Sequence, residues 1–488
     1  MTVQDYLTQL VSFDTTSSTN LAEHHSNEPL IDYLRDFFLA HNYVTGKFKV
    51  TAGNFNLIAL SPSLLKNTSS LSTSGLAGSA GLGILLSGHT DCVAFNPERW
   101  QSDPLTVTTR DGKLYGRGTS DMKGFLACML TLADHLKTSH QDDLETYPAV
   151  SFLFTADEEC SMCGAQHFVQ VCQPEEKGLD PLGSTPDFGT NFDANLDLGT
   201  WQAASSVQTF LGYTDPQLKE RALQLLRRPH KFDFIQIGEA TSMQPVIAHK
   251  GWLAREIEIM GYGGHSSQPD NGLNAIELCP KLLYNLSLLQ ESLREDYPDY
   301  RFSVPYPTLN LGQINGGQGT NSICDLVTVK FDLRPTPNLS LKQVNKMLGE
   351  AVKDSNNYAY LEHSRKCKQL KEKLLTLHSK RLGVDPKNLL DPDKSFFTCY
   401  YLHQPFPDTP AFANNSPQAL QLLKKLMPDT ELRSVNYCTE ASFLQQIGPC
   451  VVLGPGDIAQ AHTVDEFIAL EQLEQCVEFL QRLSSSGC

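Results

Sequence analysis

The sequence is poor in positive charge and has no long hydrophobic run. Its 488 residues include 39 Lys and Arg against 55 Asp and Glu, which gives a formal net charge of −16. We therefore expect neither a nucleic-acid partner nor binding to an anionic membrane surface, because affinity for phosphate depends on Lys and Arg. No stretch approaches the ~20 apolar residues that a membrane-spanning helix needs, so we expect no membrane partner.

The sequence also begins without the basic segment and the following apolar segment of a secretory signal. Its 13 cysteines are odd in number and lack the regular spacing of a disulfide framework, which favours reduced thiols in a cytosol. At roughly 100–200 residues per domain, the length indicates two or three domains. Composition thus predicts a soluble, acidic, cytoplasmic protein and indicates no particular activity.

Short apolar segments alternate with segments of helical periodicity. Strand candidates lie at 84–87, 149–155, 234–237 and 449–453, and an amphipathic run at 28–40 fits a helix. Apolar strands separated by helices are typical of α/β proteins with a largely parallel sheet. Because such sheets bind their ligands beyond the carboxyl ends of the strands, we expect the functional site there.

Two segments are predicted to be additions to this framework. Residues 172–231 form a long segment rich in Pro, Gly, Asp and Asn, with one candidate helix at 216–226. Residues 364–381 are strongly basic. A solvated helix face, with Leu370 and Leu374 on the buried side, is a more common explanation for such a run than a phosphate- or RNA-binding patch.

Polar side chains suited to metal binding follow the predicted strands. They occur in HTD at 89–91, GRGTSDMKG at 116–124, DEE at 157–159 and IGE at 237–239, and His462 lies near the end of the chain. Carboxylates and imidazoles bind Zn²⁺ and similar divalent ions, and this set is too large for one tetrahedral ion. Two ions bridged by one carboxylate are therefore predicted. Such a pair, ~3.5–4 Å apart, can polarise a carbonyl group and activate a water.

These motifs resemble those of the two-zinc aminoacylase/carboxypeptidase superfamily of metallopeptidases. HTD, DMKG and DEE together are typical of the superfamily, whereas AHKG, VPYPTLNLG, NYCTEA and QAH are similar to its bacterial acetylornithine deacetylase branch. The similar runs span nearly the whole chain except 172–231 and about 360–398. The resemblance implies a zinc-dependent amidohydrolase with two divalent metal ions per chain, Zn²⁺ being favoured and Co²⁺ being the alternative.

The resemblance also implies which residues bind the ions. His89, Asp121 and Glu239 would hold one ion, and Asp121, Glu159 and His462 would hold the other. Asp121 would then be the bridge between them. One carboxylate can serve both ions because its negative charge lies between two cations that would otherwise repel each other.

The same resemblance assigns catalytic roles to three residues. Glu158 would be the general base that activates the attacking water and returns the proton to the leaving amine. Asp91 would fix the tautomer of the histidine ligand two residues before it. His265, in the run GHSS, would stabilise the oxyanion from the lid of the partner subunit, so a homodimer is expected.

Three further residues are expected to bind the substrate, a small-molecule N-acyl amino acid. Asn321 and Arg334 match positions that hold the substrate carboxylate or the oxyanion in relatives, and the planar guanidinium of arginine suits a carboxylate. Glu440 is our hypothesis for a contact to the cationic end of the substrate. The expected reaction is hydrolysis of N-acetyl-L-ornithine to L-ornithine and acetate, a step of arginine biosynthesis.

The implied fold is α/β, with a catalytic domain at 1–247 and 357–488 and an inserted α+β lid and dimerisation domain at 248–356. The catalytic domain would contain a mixed, largely parallel central sheet flanked by helices. Two alternatives remain open: a sibling deacylase such as succinyl-diaminopimelate desuccinylase, and a non-catalytic binding protein on the same fold. NYCTEA and VPYPTLNLG count against the sibling. The intact set of candidate metal-binding His, Asp and Glu side chains counts against the binding protein, because such groups are costly to bury and a binding protein has no need of them.

Overall fold

A computed structural model of the chain describes residues 1–18, 20, 22–66, 81–140, 143, 146–173, 216–227, 232–389 and 398–486. Most of the predicted addition at 172–231 lies outside the described residues, as does part of the segment at 360–398. The candidate helix within the first addition is present. The fold is mixed α/β, which confirms the predicted class.

The helices lie mainly on the two faces of one large sheet and on a second, smaller sheet. They are α1 (Val3–Val11), α2 (Glu28–Ala40), α3 (Ser63–Lys66), α4 (Lys123–His140), α5 (Cys163–Cys172), α6 (Pro216–Leu226), α7 (Ala275–Asp296), α8 (Leu341–Glu362), α9 (Ser364–Leu382), α10 (Pro417–Leu426), α11 (Ala441–Leu444) and α12 (Leu470–Ser484). None of these helices, within the described part of the chain, has the length and apolar character needed to cross a bilayer.

The strands are distributed over two large sheets and three small ones. They are β1 (Thr16–Ser17), β2 (Val44–Thr51), β3 (Asn54–Leu60), β4 (Ile84–His89), β5 (Cys92–Val93), β6 (Thr108–Arg110), β7 (Lys113–Tyr115), β8 (Val150–Thr155), β9 (Phe234–Ile237), β10 (Val246–His249), β11 (Leu253–Met260), β12 (Gly264–His265), β13 (Thr308–Gly316), β14 (Ser322–Ile323), β15 (Leu326–Arg334), β16 (Tyr400–His403), β17 (Phe412–Ala413), β18 (Arg433–Val435), β19 (Cys450–Val452) and β20 (Phe467–Ala469).

The central sheet has the order β17-β10-β19-β9-β4-β8-β3-β2, with β18 beside β10. Its middle strands β19, β9, β4 and β8 run parallel, and antiparallel strands flank them on both sides. The four strands predicted from apolar runs are these four parallel strands. The sheet is thus mixed and largely parallel at its centre, as predicted.

Alternate residues of the parallel strands face two different hydrophobic cores. Ile84 and Leu86 of β4, and Phe152 of β8, pack into the core that α1, α2, α4, α10 and α12 cover. Leu85 and Leu153 face the opposite core, which α5, α6 and α11 cover. Because both faces of these strands are buried, they appear in the sequence as continuous apolar runs and not as alternating ones.

The second sheet is antiparallel and has the order β13-β15-β11-β16. Alternate side chains of β11, including Leu253, Ile257 and Ile259, are buried against α7 and α8. The intervening residues of the strand are only partly buried, which is the period-two pattern of a sheet with one covered face.

The second sheet and its core extend past residue 356, where the inserted domain was expected to end. Strand β16 pairs with β11 along Glu256–Ile259, and α9 contributes Leu370 and Leu374 to the same core. Both leucines are buried, as the basic run at 364–381 predicts. The chain therefore returns to the central sheet only after β16, because the segment that follows 356 packs on the second sheet.

Candidate metal centre

Four neighbouring parallel strands end at the same edge of the central sheet. His89 is the last residue of β4, the glutamates of DEE follow β8, and Glu239 follows β9 by two residues. The loop that carries His462 follows β19, and Asp121 lies two residues before α4. Because the carboxyl ends of parallel strands meet at one edge, residues distant in sequence come together there.

Among the described residues, two groups of side chains have their ligand atoms within 4.8 Å of one another: His89, Asp121 and Glu239, and Asp121, Glu159 and His462. Oδ1 of Asp121 lies 3.0 Å from Nε2 of His89, whereas its Oδ2 lies 3.2 Å from Nε2 of His462. Nε2 of His462 is also 3.0 Å from Oε2 of Glu159. Each oxygen of the shared carboxylate therefore faces a different group, as a bridging ligand requires.

The charge of the cluster is unbalanced in favour of a cation. Burial raises the pKa of Glu239 to about 8, although the nearby His89 opposes the shift. Burial and the neighbouring Glu239 hold the pKa of Glu158 well above its usual range. Hydrogen bonds to Asp121 and Glu159 raise the pKa of His462 to about 10. Carboxylates outnumber histidines in this buried cluster, and a divalent cation in each group would supply further positive charge.

The donor set also fits divalent ions chemically. Each group combines carboxylate oxygens with one imidazole, a mixture that suits Zn²⁺ and related ions. His89 is buried, whereas the side chain of His462 is 56% exposed. The second group thus lies nearer the solvent, where a substrate could reach it.

Asp91 contacts the site differently from the expectation. Nδ1 of His89 lies 3.0 Å from the backbone carbonyl of Asp91 and 3.7 Å from its carboxylate. A carbonyl only accepts, so the proton of the neutral His89 ring lies on Nδ1 and Nε2 is free to bind a cation. The Asp91 carboxylate instead accepts the backbone N–H groups of Glu158 and Glu159, both at 3.1 Å. It therefore holds the turn that carries the two glutamates.

Glu440 lies inside the protein beside this cluster. It is completely buried, and Oγ1 of Thr155 donates a hydrogen bond of 2.8 Å to its Oε2. Its Oε1 has no hydrogen-bond partner among the described residues. Burial raises the pKa of Glu440 to about 7.

The remaining three predicted residues lie on the second sheet and on a small ribbon beside it. His265 and Asn321 are exposed at adjoining positions of the ribbon formed by β12 and β14, where the backbone N–H of Ser266 donates to the carbonyl of Asn321 at 3.0 Å. Arg334 ends β15, and its Nε donates to Asp332 at 3.0 Å. No hydrogen bond or ion pair within the described part of the chain connects these side chains to the candidate ligands.

Sequence reasoning missed Glu466, which contacts the loop of Asp121. Its completely buried carboxylate accepts the backbone N–H groups of Ser120 and Asp121 at 2.8 and 3.0 Å. The available signal was its position four residues after His462, in the run TVDEF at 463–467. A single acidic residue in such a run does not indicate its partner, which lies 345 positions away in the chain.

The chain matches known proteins over almost its full length. Residues 85–486 match the profile of peptidase family M20/M25/M40. Curated acetylornithine deacetylases from Proteus mirabilis and Shigella sonnei are each 33% identical to it over 482 residues, which is 98% of this chain and 95% and 96% of theirs.

Solved structures of low sequence identity have the same fold. Aminopeptidase PepT from Bacillus cereus superposes with a TM-score of 0.59 at 16% identity, and the two chains cover 99% and 98% of each other. A metallo-carboxypeptidase from Sulfolobus solfataricus gives 0.57 at 14% identity, with 99% of both chains covered. The resemblance inferred from the motifs is thus confirmed, and the chain is a metal-dependent hydrolase that belongs to peptidase family M20/M25/M40.

Proposed function

We propose that the protein hydrolyses N-acetyl-L-ornithine to L-ornithine and acetate, the step that supplies ornithine for arginine biosynthesis. The observation that carries this proposal is the 33% identity to acetylornithine deacetylases over 98% of the chain. The two ligand groups at the sheet edge support it, because hydrolysis of an amide at neutral pH needs a strong activating group. A cytoplasmic location is part of the same proposal and fits the chain's cysteine usage.

We propose Zn²⁺ as the ion of both groups, with Co²⁺ as the alternative. One ion would be held by His89, Asp121 and Glu239, and the other by Asp121, Glu159 and His462. The proximity of the ligand atoms supports this assignment, because within each group they all lie within 4.8 Å of one another. When bound, two such ions would polarise the acyl carbonyl and lower the pKa of the attacking water.

Glu158 is the proposed general base. It takes a proton from the attacking water and delivers that proton to the nitrogen of the departing ornithine. Burial raises the pKa of Glu158, and the raised pKa helps its carboxylate to hold this proton between the two transfers. Asp91 supports the role because its carboxylate fixes the backbone of Glu158 and the adjoining ligand Glu159.

His265 is proposed to donate a hydrogen bond to the developing oxyanion of a partner subunit. The backbone N–H of Ser267 donates to Nδ1 of His265 at 3.2 Å, and Oγ of Ser267 lies 2.8 Å from the same nitrogen. Because a backbone N–H can only donate, Nδ1 is an acceptor and the proton of the neutral ring lies on Nε2. This tautomer leaves an N–H donor on Nε2, as the proposed role requires.

A second copy of the chain is proposed to bind along β13 and α7. Strand β13 is the edge of the second sheet in the described chain, and its Leu311 and Ile314 are exposed. On the neighbouring helix, Ile276, Tyr284 and Leu288 are exposed at spacings of eight and four residues, hence on one face. An uncovered strand edge beside an apolar helix face favours pairing with an identical surface about a two-fold axis.

The residues proposed to select the substrate are Asn321, Arg334 and Glu440. Arg334 suits the α-carboxylate of ornithine because its guanidinium can donate two parallel hydrogen bonds. Asn321 lies directly before β14, and its carbonyl accepts from Ser266, the residue after the proposed oxyanion donor. Glu440 remains our hypothesis for the cationic end of the substrate, although its complete burial counts against direct contact in this conformation. If Glu440→Gln left the preference for acetylornithine over uncharged N-acetyl amino acids unchanged, we would abandon that assignment.

The test is ornithine release from N-acetyl-L-ornithine by the purified, metal-analysed protein, with and without a chelator. Succinyl-diaminopimelate and N-acetylmethionine serve as competing substrates. We expect chelator-sensitive turnover that is highest for acetylornithine, with two metal ions per chain as a two-metal centre requires. Higher turnover of succinyl-diaminopimelate would identify the sibling deacylase. Bound metal without turnover of any of the three would refute the proposed substrate and indicate that the insertions have redirected the pocket.

A further inference from the structure

Glu466 has an unusual environment for a carboxylate that no catalytic step uses. Its Oε1 accepts the backbone N–H groups of Ser120 and Asp121, and its Oε2 accepts the N–H of Gly118 and Nη1 of Arg117, both at 2.9 Å. Both members of the ion pair are buried. Burying a charge is costly unless its hydrogen-bonding capacity is met, and here four donors meet it.

These contacts join two of the three chain segments that carry the second ligand group, those of Asp121 and His462. Glu466 lies four residues after His462, and its side chain bonds to the backbone of Asp121. The side chain of Asp121 in turn lies 3.2 Å from His462. The segment 462–466 and Asp121 therefore form a closed loop of contacts, in which Glu466 determines how far the two ligands can separate.

The first ligand group depends much less on this contact. His89 ends β4 and Glu239 follows the adjacent parallel strand β9, and the N–H of Gly238 donates to the carbonyl of Ser87 at 3.1 Å. Those hydrogen bonds belong to the central sheet and do not involve Glu466. Asp121 is common to both groups, but only the second group also needs the segment that contains His462.

We infer that Glu466 is a positioning residue that fixes Asp121 against His462 and thereby completes the second cation site. This inference rests on the proposed function only in that both groups bind cations. Pairing of β20 with β7 already brings Glu466 opposite Gly116, so a purely structural role would stabilise the fold without distinguishing the two cation sites. The two roles therefore differ in what they predict for metal affinity.

The experiment compares Zn²⁺ binding by full-length wild type and Glu466→Gln at buffered free zinc concentrations. The matched control is Asp408→Asn, which weakens another buried pair, between Asp408 and Arg255 at 2.6 Å, at the second sheet. For wild type we expect two bound ions. Glu466→Gln should weaken one site by about 10- to 100-fold and the other by less than about threefold, whereas Asp408→Asn should leave both sites unchanged.

A second measurement requires no metal. With the ions removed, hydrogen exchange in Glu466→Gln should accelerate either at Gly118 or at Ser120 and Asp121, because glutamine keeps one acceptor oxygen and replaces the other with a donor. Exchange at these amides should not change in Asp408→Asn. If Glu466→Gln does not fold, the double variant that also carries Arg117→Met removes the guanidinium left without a counter-charge and allows the same comparison.

Three results would overturn the inference: wild-type affinity at both sites in folded Glu466→Gln, equal weakening of both sites, or fewer than two ions on the wild type. Failure of the proposed function is a separate outcome. A wild type that binds two ions without releasing ornithine would refute the substrate and leave the role of Glu466 intact.

Discussion

The proposed action of His265 across the dimer leads to a complementation experiment. His265 is exposed on the β12–β14 ribbon, and no described hydrogen bond or ion pair connects it to the candidate ligands of its own chain. If each active site combines Glu158 of one chain with His265 of the other, His265→Ala and Glu158→Gln are defects that different chains can compensate.

The expected magnitude follows from counting sites. Loss of one oxyanion donor lowers kcat by about 10²- to 10³-fold, and loss of a general base lowers it by about 10²- to 10⁴-fold. A mixed dimer has one site with both residues intact and one site with neither. Its activity should therefore be about half that of wild type, roughly 50-fold or more above either parent.

The assay uses two chains with different affinity tags, co-expressed and purified through both tags so that only mixed dimers remain. Ornithine release is then measured at saturating substrate. The control pairs His265→Ala with a chain that carries both substitutions, and this mixed dimer should stay as inactive as its parents. Mixed dimers of the two single variants that show no more than the mean parental activity would refute action in trans.

Three further predictions concern the general base, the cations and the second core. Glu158→Gln should keep two ions per chain and lower kcat by about 10²- to 10⁴-fold. The control Glu474→Gln, at an exposed position of α12, should change neither the ion content nor kcat. Full turnover in Glu158→Gln would exclude the proposed base. Chelation should lower the unfolding temperature reversibly, since a site at 100-fold excess of free ion over Kd stabilises the fold by about 2.7 kcal/mol, and an unchanged temperature would contradict the assigned cation groups. Leu374→Ala should cost about 2–5 kcal/mol in urea unfolding because Leu374 is completely buried in the core of the second sheet, while Leu361→Ala, 75% exposed on α8, should cost less than about 0.5 kcal/mol.

Several elements were predictable because their signals are local. The run at 28–40 has the 3.6-residue periodicity of a helix and forms α2 with those bounds. The four buried parallel strands were visible as short apolar runs, and polar residues directly after them indicated the edge where the site lies. The limit of the inserted domain was less predictable, because the pairing of β16 with β11 joins segments about 145 residues apart and leaves no local pattern.

The site likewise has features that the sequence predicted and features that it did not. The motifs around His89, Asp121 and His462 identified candidate ligands because metal binding restricts the residue types that a position can hold. The motifs did not indicate that the Asp91 carboxylate holds the turn of Glu158 and Glu159. Nor did they indicate that Glu440 is completely buried, with one oxygen that has no hydrogen-bond partner among the described residues. Both facts depend on which surfaces meet after folding.

The sequence by itself determined the family, the class of chemistry and the elements from which the protein is built. Each of these depends on residue type and short-range spacing, which the chain carries before it folds. Only the tertiary structure decided that the two oxygens of Asp121 face different histidines and that Glu466 connects their segments. Those relations are distances between residues up to about 345 positions apart, and they exist only once the parallel strands of the central sheet bring their ends together.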